Sequence, residues 1–157
     1  MNKSLSERLN HLNIKRLSPG GSIANYLPCQ RFENFIFISG QLPLVDKNLL
    51  HSGKINSELN EKEALDSIKL ATSNLLWNLS DLVLSEKVSN IKCLNIKGYL
   101  NCTGDFHKHA DLLNISSDMI VEVLGKNNGL HSRSAIGVNS LPKNSPIEID
   151  GIFGLLS

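Results

Sequence analysis

The spacing of apolar residues along the chain predicts one short helix and two long ones. Leucines recur at helical spacing over residues 4–12, and longer apolar stripes run over residues 61–79 and 106–124. Polar residues separate the apolar positions, as expected of helices that bury one face. The expected N-terminal caps are Ser4 or Ser6 for the first helix, Asn60 with Glu63 for the second, and Asp105 for the third. The Ser116-Ser117 pair is expected to split the third helix, and Gly125 or Gly129 to end it.

Shorter runs between these stripes predict five strands. Residues 147–152 alternate apolar and polar side chains, which is typical of a strand with one buried face. Residues 35–39 form a run of large apolar side chains that is expected to be buried, and a phase slip within residues 91–100 predicts a bulge near 96–98. The other predicted elements are a strand over 23–29, a turn over 31–34, and a strand over 134–138 that closes a hairpin with 147–152 through a connection at 141–146.

This order of elements favours an α+β fold, in which a mixed sheet carries both long helices on one face. The length of 157 residues suits a single domain with a proper core. The second face of the sheet would lack cover in a single copy, which supports an oligomer that buries sheet faces together. The residues expected to need that cover are Ile36, Ile38, Ile147 and Ile149.

Charge and composition narrow the classes of function. The chain has 16 basic and 15 acidic residues and a net charge of +1, whereas general nucleic-acid binders carry a dense basic face. This balance argues against a general nucleic-acid binder and leaves a local basic patch open. No apolar run approaches the roughly 20 residues that span a bilayer, and the first residues do not resemble a secretory signal. These features predict a cytoplasmic protein without a membrane partner.

Cysteine and histidine spacing gives no indication of a metal site. Cys29, Cys93 and Cys102 lack the C-x-x-C spacing of zinc ligands, and we expect free thiols. His107 and His109 would point to different sides of a helix, so they are not expected to share a metal ion.

Two charged residues near the C-terminal end are the first candidates for chemistry. Arg133 lies at the start of a predicted strand, and a guanidinium presents a planar fork of donors that matches a carboxylate through two hydrogen bonds. Glu148 lies on the alternating strand, and a carboxylate near an electrophile can hold and deprotonate a water. On composition alone, a surface salt bridge for Arg133 and an exposed strand position for Glu148 are the plainer interpretations.

Three separated motifs resemble the Rid family of reactive intermediate deaminases, also known as the YjgF family. Residues 133–142 (RSAIGVNSLP) and 146–150 (PIEID) are similar to its C-terminal signature. Residues 24–26 and 35–44 (FIFISGQLPL) are similar to its N-terminal strand and its SGQ-P motif. The motifs follow the family's order with compatible spacing, and the most similar subgroup has a longer N-terminal leader.

The resemblance implies a leader helix and loop over residues 1–22 and a single Rid-like domain over 23–157. The implied fold is chorismate-mutase-like, and the implied assembly is a homotrimer with a central barrel of strands and sites between subunits. The implied reaction is hydrolysis of reactive 2-imino or enamine acids, such as 2-aminoacrylate, to 2-keto acids and ammonia. Because such substrates are already activated, no cofactor is expected.

The resemblance also assigns roles to individual residues. Arg133 would grip the substrate carboxylate, while Glu148 with Tyr26 would hold the attacking water. The other residues expected around the substrate are Ser39, Gly40, Ala135 and His131. The chain departs from better-known members at three places: Ala135 replaces a cysteine, Ala24-Asn25 replaces Gly-Pro, and Ala110 replaces an asparagine that some members use.

Two other functions remain open at this point. The same arginine could hold a small keto acid in a non-catalytic module that reports metabolite level to a partner. Ala135 and the altered entry to Tyr26 motivate that alternative. RNA cleavage, which is ascribed to some relatives, is less favoured because the chain lacks clustered basic and aromatic residues.

Overall fold

Two long helices cross one face of a five-stranded sheet, and a short N-terminal helix packs beside them. The computed structural model describes residues 3–19 and 25–156. The helices are α1 (Leu5–His11), α2 (Glu61–Leu82), α3 (His109–Leu124) and the short α4 (Lys126–Gly129). The strands are β1 (Cys29–Phe32), β2 (Phe35–Gln41), β3 (Leu44–Val45), β4 (Asn48–Leu49), β5 (Ile91–Asn101), β6 (Ser132–Val138) and β7 (Ile147–Leu155).

The main sheet has the strand order β1-β2-β7-β5-β6, and β3 pairs with β4 separately. Neighbouring strands are antiparallel except β5 and β6, which run parallel with Asn95 opposite Ser132. A parallel pair needs a crossover that returns the chain to the same end of the sheet, and α3 provides it. The register of β5 against β7 shifts between Cys93 and Asn95, so the bulge predicted near 96–98 lies earlier in the strand. The expected α+β fold, with both long helices on one face of a mixed sheet, is confirmed.

β6 and β7 do not form the predicted hairpin, because β5 lies between them. β6 occupies the edge of the sheet, and residues 139–146 carry the chain past the end of β5 to reach β7. Lys143 and Asn144 adopt positive φ in this connection. The alternation of apolar and polar residues identified the strands but held no information about which neighbour each would have.

The first hairpin lies further along the chain than predicted. β1 begins at Cys29 and turns directly into β2, whereas residues 25–28 are irregular. Of the predicted strand over 23–29, only Cys29 lies in a strand, and positions 23 and 24 lie outside the described residues. Of the predicted turn over 31–34, only residues 33 and 34 form a turn, because 31 and 32 belong to β1. Pro28 has no N–H to donate, so the antiparallel ladder begins only after it.

The sheet has one face buried under the helices and one open face. Ile36, Ile38, Ile147 and Ile149 belong to the core beneath α2 and α3, so the expectation that they would need cover from another copy is wrong. Phe35 and Phe37 alternate with them and are 48% and 46% exposed. The run predicted as a buried strand is buried on one face only, because the helices cover only that face.

Local capping signals located the starts of two helices correctly. Ser4 with Glu7, and Asn60 with Glu63, form reciprocal capping boxes at the starts of α1 and α2. α2 continues to Leu82, beyond the predicted end at residue 79. These signals succeed because all the groups involved lie within one helical turn of each other.

α3 begins later than predicted and is not divided. It starts at His109, so Asp105 is not its cap. The hydroxyl of Ser116 lies 2.7 Å from that of Thr72 inside the core, where it joins α3 to α2 instead of breaking the helix. Gly125 ends α3 with a φ of 81°, as predicted.

α1 is anchored to the C-terminal end of α3. Leu5 and Leu9 are buried in the common core. Arg8 donates from Nη2 to the carbonyl of Glu122 at 2.8 Å and from Nε to that of Val123 at 3.3 Å. Carbonyls in the last turn of a helix have no donor from their own helix, so Arg8 supplies partners that α3 lacks.

Candidate carboxylate-binding site

Arg133 lies on the edge strand β6, and its side chain reaches α3. Its Nη1 donates to the hydroxyl of Ser117 at 2.9 Å. Its Nη2 donates to the Oδ1 of Asn114 at 2.8 Å and to the backbone carbonyl of Ala110 at 3.2 Å. These three partners are spaced along one face of a helix, so together they fix the plane of the guanidinium.

Ser117 links Arg133 to His131. The Nδ1 of His131 lies 2.6 Å from the carbonyl of Gly129, and its Nε2 lies 3.1 Å from the hydroxyl of Ser117. A carbonyl can only accept, so Nδ1 carries the hydrogen, and in a neutral ring Nε2 accepts from the Ser117 hydroxyl. His131 therefore acts on the guanidinium through Ser117, whereas the sequence analysis had expected it only as one of the residues around the substrate.

Ser117 was not among the site residues expected from the sequence. The sequence marked it only as a possible break in α3, because serine inside a helix competes with the backbone for hydrogen bonds. Ser117 and Asn114 follow Ala110 on the same helical face, which is the signal that could have found them. Recognising it requires knowing that this face of α3 meets β6.

Ala135 also faces α3. It packs at the border of the core, and its partner in β5 is Gly98. A Cβ at Gly98 would lie 2.6 Å from a methyl of Leu113 in α3, so the helix approaches the sheet closely at this point. Ala135 therefore provides a small apolar surface one pleat beyond Arg133 and brings no reactive group to it.

Glu148 lies on the opposite face of the sheet. Its neighbours Ile147 and Ile149 point into the core, so Glu148 points to the open face beside Tyr99, its partner in β5. Gly40 is in direct contact with it, since a Cβ at that position would lie 1.9 Å from Oε1 of Glu148. The missing side chain of Gly40 thus provides the space in which the carboxylate lies.

The surroundings of Glu148 favour its protonated form. Partial burial raises the pKa of Glu148 above the usual carboxyl value, and the negative charge of Asp150 raises that pKa further. Asp150 itself is paired, with Nζ of Lys97 at 3.3 Å and the hydroxyl of Tyr99 at 3.0 Å. Burial and the bond to Asp150 also raise the pKa of Tyr99, a residue that sequence reasoning placed only in the strand pattern.

Ser39 is hydrogen-bonded to the irregular segment that follows Tyr26 in the chain. The Oγ of Ser39 donates to the carbonyl of Leu27 at 2.8 Å, and its N–H donates to the carbonyl of Pro28 at 2.9 Å. Ser39 thereby fastens the irregular segment that carries Tyr26, which is 50% exposed. The register of β2 against β7 shifts between Ile38 and Gln41, so Ser39 and Gly40 form a bulge beside Glu148.

The expected site residues therefore form two groups. Arg133, Ala135 and His131 lie together at the β6 edge against α3, whereas Glu148 and Gly40 meet at the open face, with Ser39 in the same bulge. Tyr26 belongs to the segment to which Ser39 is bonded. Within one chain, the sheet separates the guanidinium from the carboxylate.

A polar cleft of about 620 Å³ opens where β5, β6 and the start of α3 meet. Nε2 of His109 lies 3.4 Å from Sγ of Cys102 at its wall, and Lys54 lies nearby. His107 precedes α3 instead of lying on it, so the geometric reason given for separating His107 from His109 is wrong. Within residues 3–19 and 25–156, no group of three His, Cys, Asp or Glu residues is arranged to hold a metal ion.

None of the helices in the described part of the chain is long and apolar enough to cross a membrane.

The comparisons with known proteins agree with this architecture. A family model described as "YjgF/chorismate_mutase-like, putative endoribonuclease" matches residues 10–152. Protein TCP17 of Trypanosoma cruzi is 26% identical over 155 residues, which cover 96% of this chain and 94% of that protein.

Solved structures are also similar to this chain. The crystal structure of Atu1372 from Agrobacterium tumefaciens, a protein of unknown function, has a TM-score of 0.84 and 26% identity, with 96% of this chain and 92% of that chain covered. TdcF of E. coli, crystallised with bound serine, has a TM-score of 0.61 and 19% identity over 90% of this chain and 94% of that chain, so it shows a shared fold. Given the family match over most of its length, the chain belongs to the YjgF family, the Rid family that its motifs resemble.

Proposed function

We propose that this protein hydrolyses small 2-imino acids, such as the imine tautomer of 2-aminoacrylate, to 2-keto acids and ammonia. The proposal rests on the observation that the hydrogen-bond partners of Arg133 are uncharged. Ser117, Asn114 and the carbonyl of Ala110 orient the guanidinium without cancelling its charge. The ion pairs found among the described residues do not include Arg133. An oriented positive charge without a carboxylate partner suits a carboxylate ligand better than it suits a surface salt bridge.

The proposed site is assembled from two copies of the chain. Arg133 and Glu148 lie on different faces of the sheet, so one chain cannot present both to a single small ligand. The open face also exposes Phe35 and Phe37, which a second copy would cover. A homotrimer with its strands around a central barrel, the assembly that the family resemblance implies, would bring the open face of one copy to the β6 edge of the next.

The proposed reaction needs few groups. Arg133 holds the carboxylate, and Glu148 of the neighbouring copy, assisted by Tyr26, holds a water and takes a proton from it as the oxygen adds to the imine carbon. The nitrogen of the tetrahedral intermediate is then protonated and leaves as ammonia, while a carbonyl forms at the same carbon. One imine and one water give one keto acid and one ammonia. The raised pKa of Glu148 makes its carboxylate a stronger base than an exposed one.

The test is the decay of 2-aminoacrylate generated enzymatically in the presence of the protein. The wild type should accelerate its conversion to pyruvate and ammonia. The acceleration by Arg133→Ala should be at least about 100-fold smaller, since the positive charge that anchors the carboxylate and orients the substrate is removed. Arg31→Ala is the matched control, because Arg31 is an exposed arginine on β1. A wild-type rate equal to that of buffer would show that the proposed activity is absent.

A second candidate is a binding module for small keto acids. Ala135 favours it, since this residue supplies only a methyl group one pleat from Arg133. Calorimetric titration with 2-oxobutyrate that shows binding dependent on Arg133, together with no turnover of any imine offered, would select this function over the deaminase.

RNA cleavage is the activity named in the family description. The net charge of +1 gives little electrostatic attraction to a phosphate backbone. Salt-dependent degradation of RNA by the purified protein, lost in Arg133→Ala, would favour this function instead.

A further inference from the structure

The hydrogen bonds of Arg133 have a consequence for any carboxylate that binds it. Nη2 carries two hydrogens, and both are engaged, one with Oδ1 of Asn114 and one with the carbonyl of Ala110. Nη1 donates to Ser117. The outer nitrogens of the fork are therefore held by α3 in the absence of a ligand.

A guanidinium can hold a carboxylate by two parallel hydrogen bonds along only two of its edges. One edge combines an Nη1 hydrogen with an Nη2 hydrogen, and the other combines the Nε hydrogen with the second Nη2 hydrogen. Each edge thus requires one hydrogen of Nη2. With both of these hydrogens engaged, a two-bonded grip requires one of the α3 partners to leave.

Asn114 is the partner that can leave without disturbing the fold. The carbonyl of Ala110 belongs to the backbone of α3 and moves only with the helix. Asn114 is exposed, so its side chain can rotate away and exchange the bond to Nη2 for bonds to water. Ser117 stays in place, because its hydroxyl is also fixed by His131, which is fixed in turn by the carbonyl of Gly129.

We propose that Asn114 is an affinity-determining residue that occupies the carboxylate position of Arg133 until a ligand carboxylate displaces it. Ser117 has the opposite role, since it positions the guanidinium and stays bound to it. The proposal rests on the proposed function only in taking Arg133 as the carboxylate anchor, and it holds equally for a catalyst or a binding module. It predicts that truncating these two residues, which contact the same guanidinium, changes affinity in opposite directions.

Calorimetric titration with 2-oxobutyrate tests this prediction without turnover. Asn114→Ala should tighten Kd by about threefold to tenfold, since one competing hydrogen bond is lost. Ser117→Ala should weaken Kd by a similar factor, because Nη1 and His131 both lose their partner. Asn114→Asp keeps the shape but adds a carboxylate at the fork, so it should weaken Kd by at least about tenfold. Asn48→Ala, at an exposed asparagine on β4, is the matched control and should leave Kd unchanged.

The possible outcomes separate this inference from the proposed function. If the wild type binds 2-oxobutyrate through Arg133 but Asn114→Ala binds more weakly or equally, Asn114 is merely a support for the arginine and the inference is overturned. If Arg133→Ala binds as well as the wild type, the anchor itself is wrong and both proposals fail. Absence of binding in the wild type and in Asn114→Ala likewise overturns the inference. Circular dichroism melts of each variant show whether a loss of binding reflects unfolding.

Discussion

Gly40 and Glu148 share one space on the open face of the sheet: a Cβ at residue 40 would lie 1.9 Å from Oε1 of Glu148. The bulge between Ile38 and Gln41 brings the backbone of β2 this close to the carboxylate. The glycine of the SGQ-P motif thus has a specific physical role here, which is to leave the position of Glu148 free.

Gly40→Ala should therefore displace the carboxylate of Glu148. The φ of Gly40 lies outside the left-handed region, so alanine fits the backbone and the conflict is confined to the side chain. We expect at least about a tenfold loss of imine hydrolysis, because catalytic groups must be placed closely, with a loss of stability of about 1–3 kcal/mol. Gly104→Ala is the control, since no heavy atom would approach its Cβ within 4 Å. Unchanged kinetics in Gly40→Ala would mean that the position of Glu148 does not matter.

Glu148 should make the activity and the stability depend on pH in opposite directions. Because its pKa is raised in the folded state, the folded protein binds its proton more tightly than the unfolded chain does. Its contribution to stability is present below the ordinary carboxyl pKa and is lost as pH rises through the raised value. Activity should instead rise over the same range, because Glu148 must be ionised to act as the proposed base.

The corresponding measurement compares wild type with Glu148→Gln in thermal melts across pH. The variant should gain Tm relative to wild type near neutral pH and show a smaller gain near pH 4, below the ordinary value for Glu. A difference in Tm that does not change with pH would show that the carboxyl of Glu148 has no shifted pKa.

The proposal that each site is shared between two copies predicts rescue by mixing. Arg133→Ala and Glu148→Gln should each be inactive alone, but refolding them together should produce some interfaces with both native residues. For random mixing in a closed ring, about a quarter of the sites would be intact. Activity that stays absent in mixtures, with mixed oligomers verified by native mass spectrometry, would place both residues in sites of a single copy.

Gly137 on β6 should be intolerant of a side chain. A Cβ there would lie 2.5 Å from Nε2 of His109 and 3.1 Å from Sγ of Cys102. Gly137→Ala should cost about 1–3 kcal/mol in urea unfolding, and much of that loss should disappear in the double variant with His109→Ala. If the two effects simply add, the crowding lies elsewhere.

Structural features that depend on residues close together in sequence could be predicted, whereas features that depend on residues far apart could not. Asn60 and Glu63 are three positions apart, so the start of α2 could be predicted from the residues alone. The neighbour of β6 depends on the path of α3 across the sheet, and the apparent hairpin with β7 was wrong for that reason.

The candidate site shows the same division. Alternation with Ile147 and Ile149 tells which way Glu148 points, whereas the small residues around Arg133 give no such signal. The placement of Glu148 and Arg133 on different faces of the sheet could not be predicted without the register of β5, β6 and β7. Ser117 was missed because its two partners lie 14 and 16 positions away in sequence.

The contacts between α1 and α3 affect the order in which the chain can fold during synthesis. Arg8 bonds to carbonyls at residues 122 and 123, and Leu5 and Leu9 pack in a core formed by later elements. During translation the first helix leaves the ribosome long before the turn that receives it has been synthesised. The bonds of Arg8 to α3 can therefore form only after residue 123 has been synthesised, so the docking of α1 is completed late even though α2, which it also contacts, is made earlier.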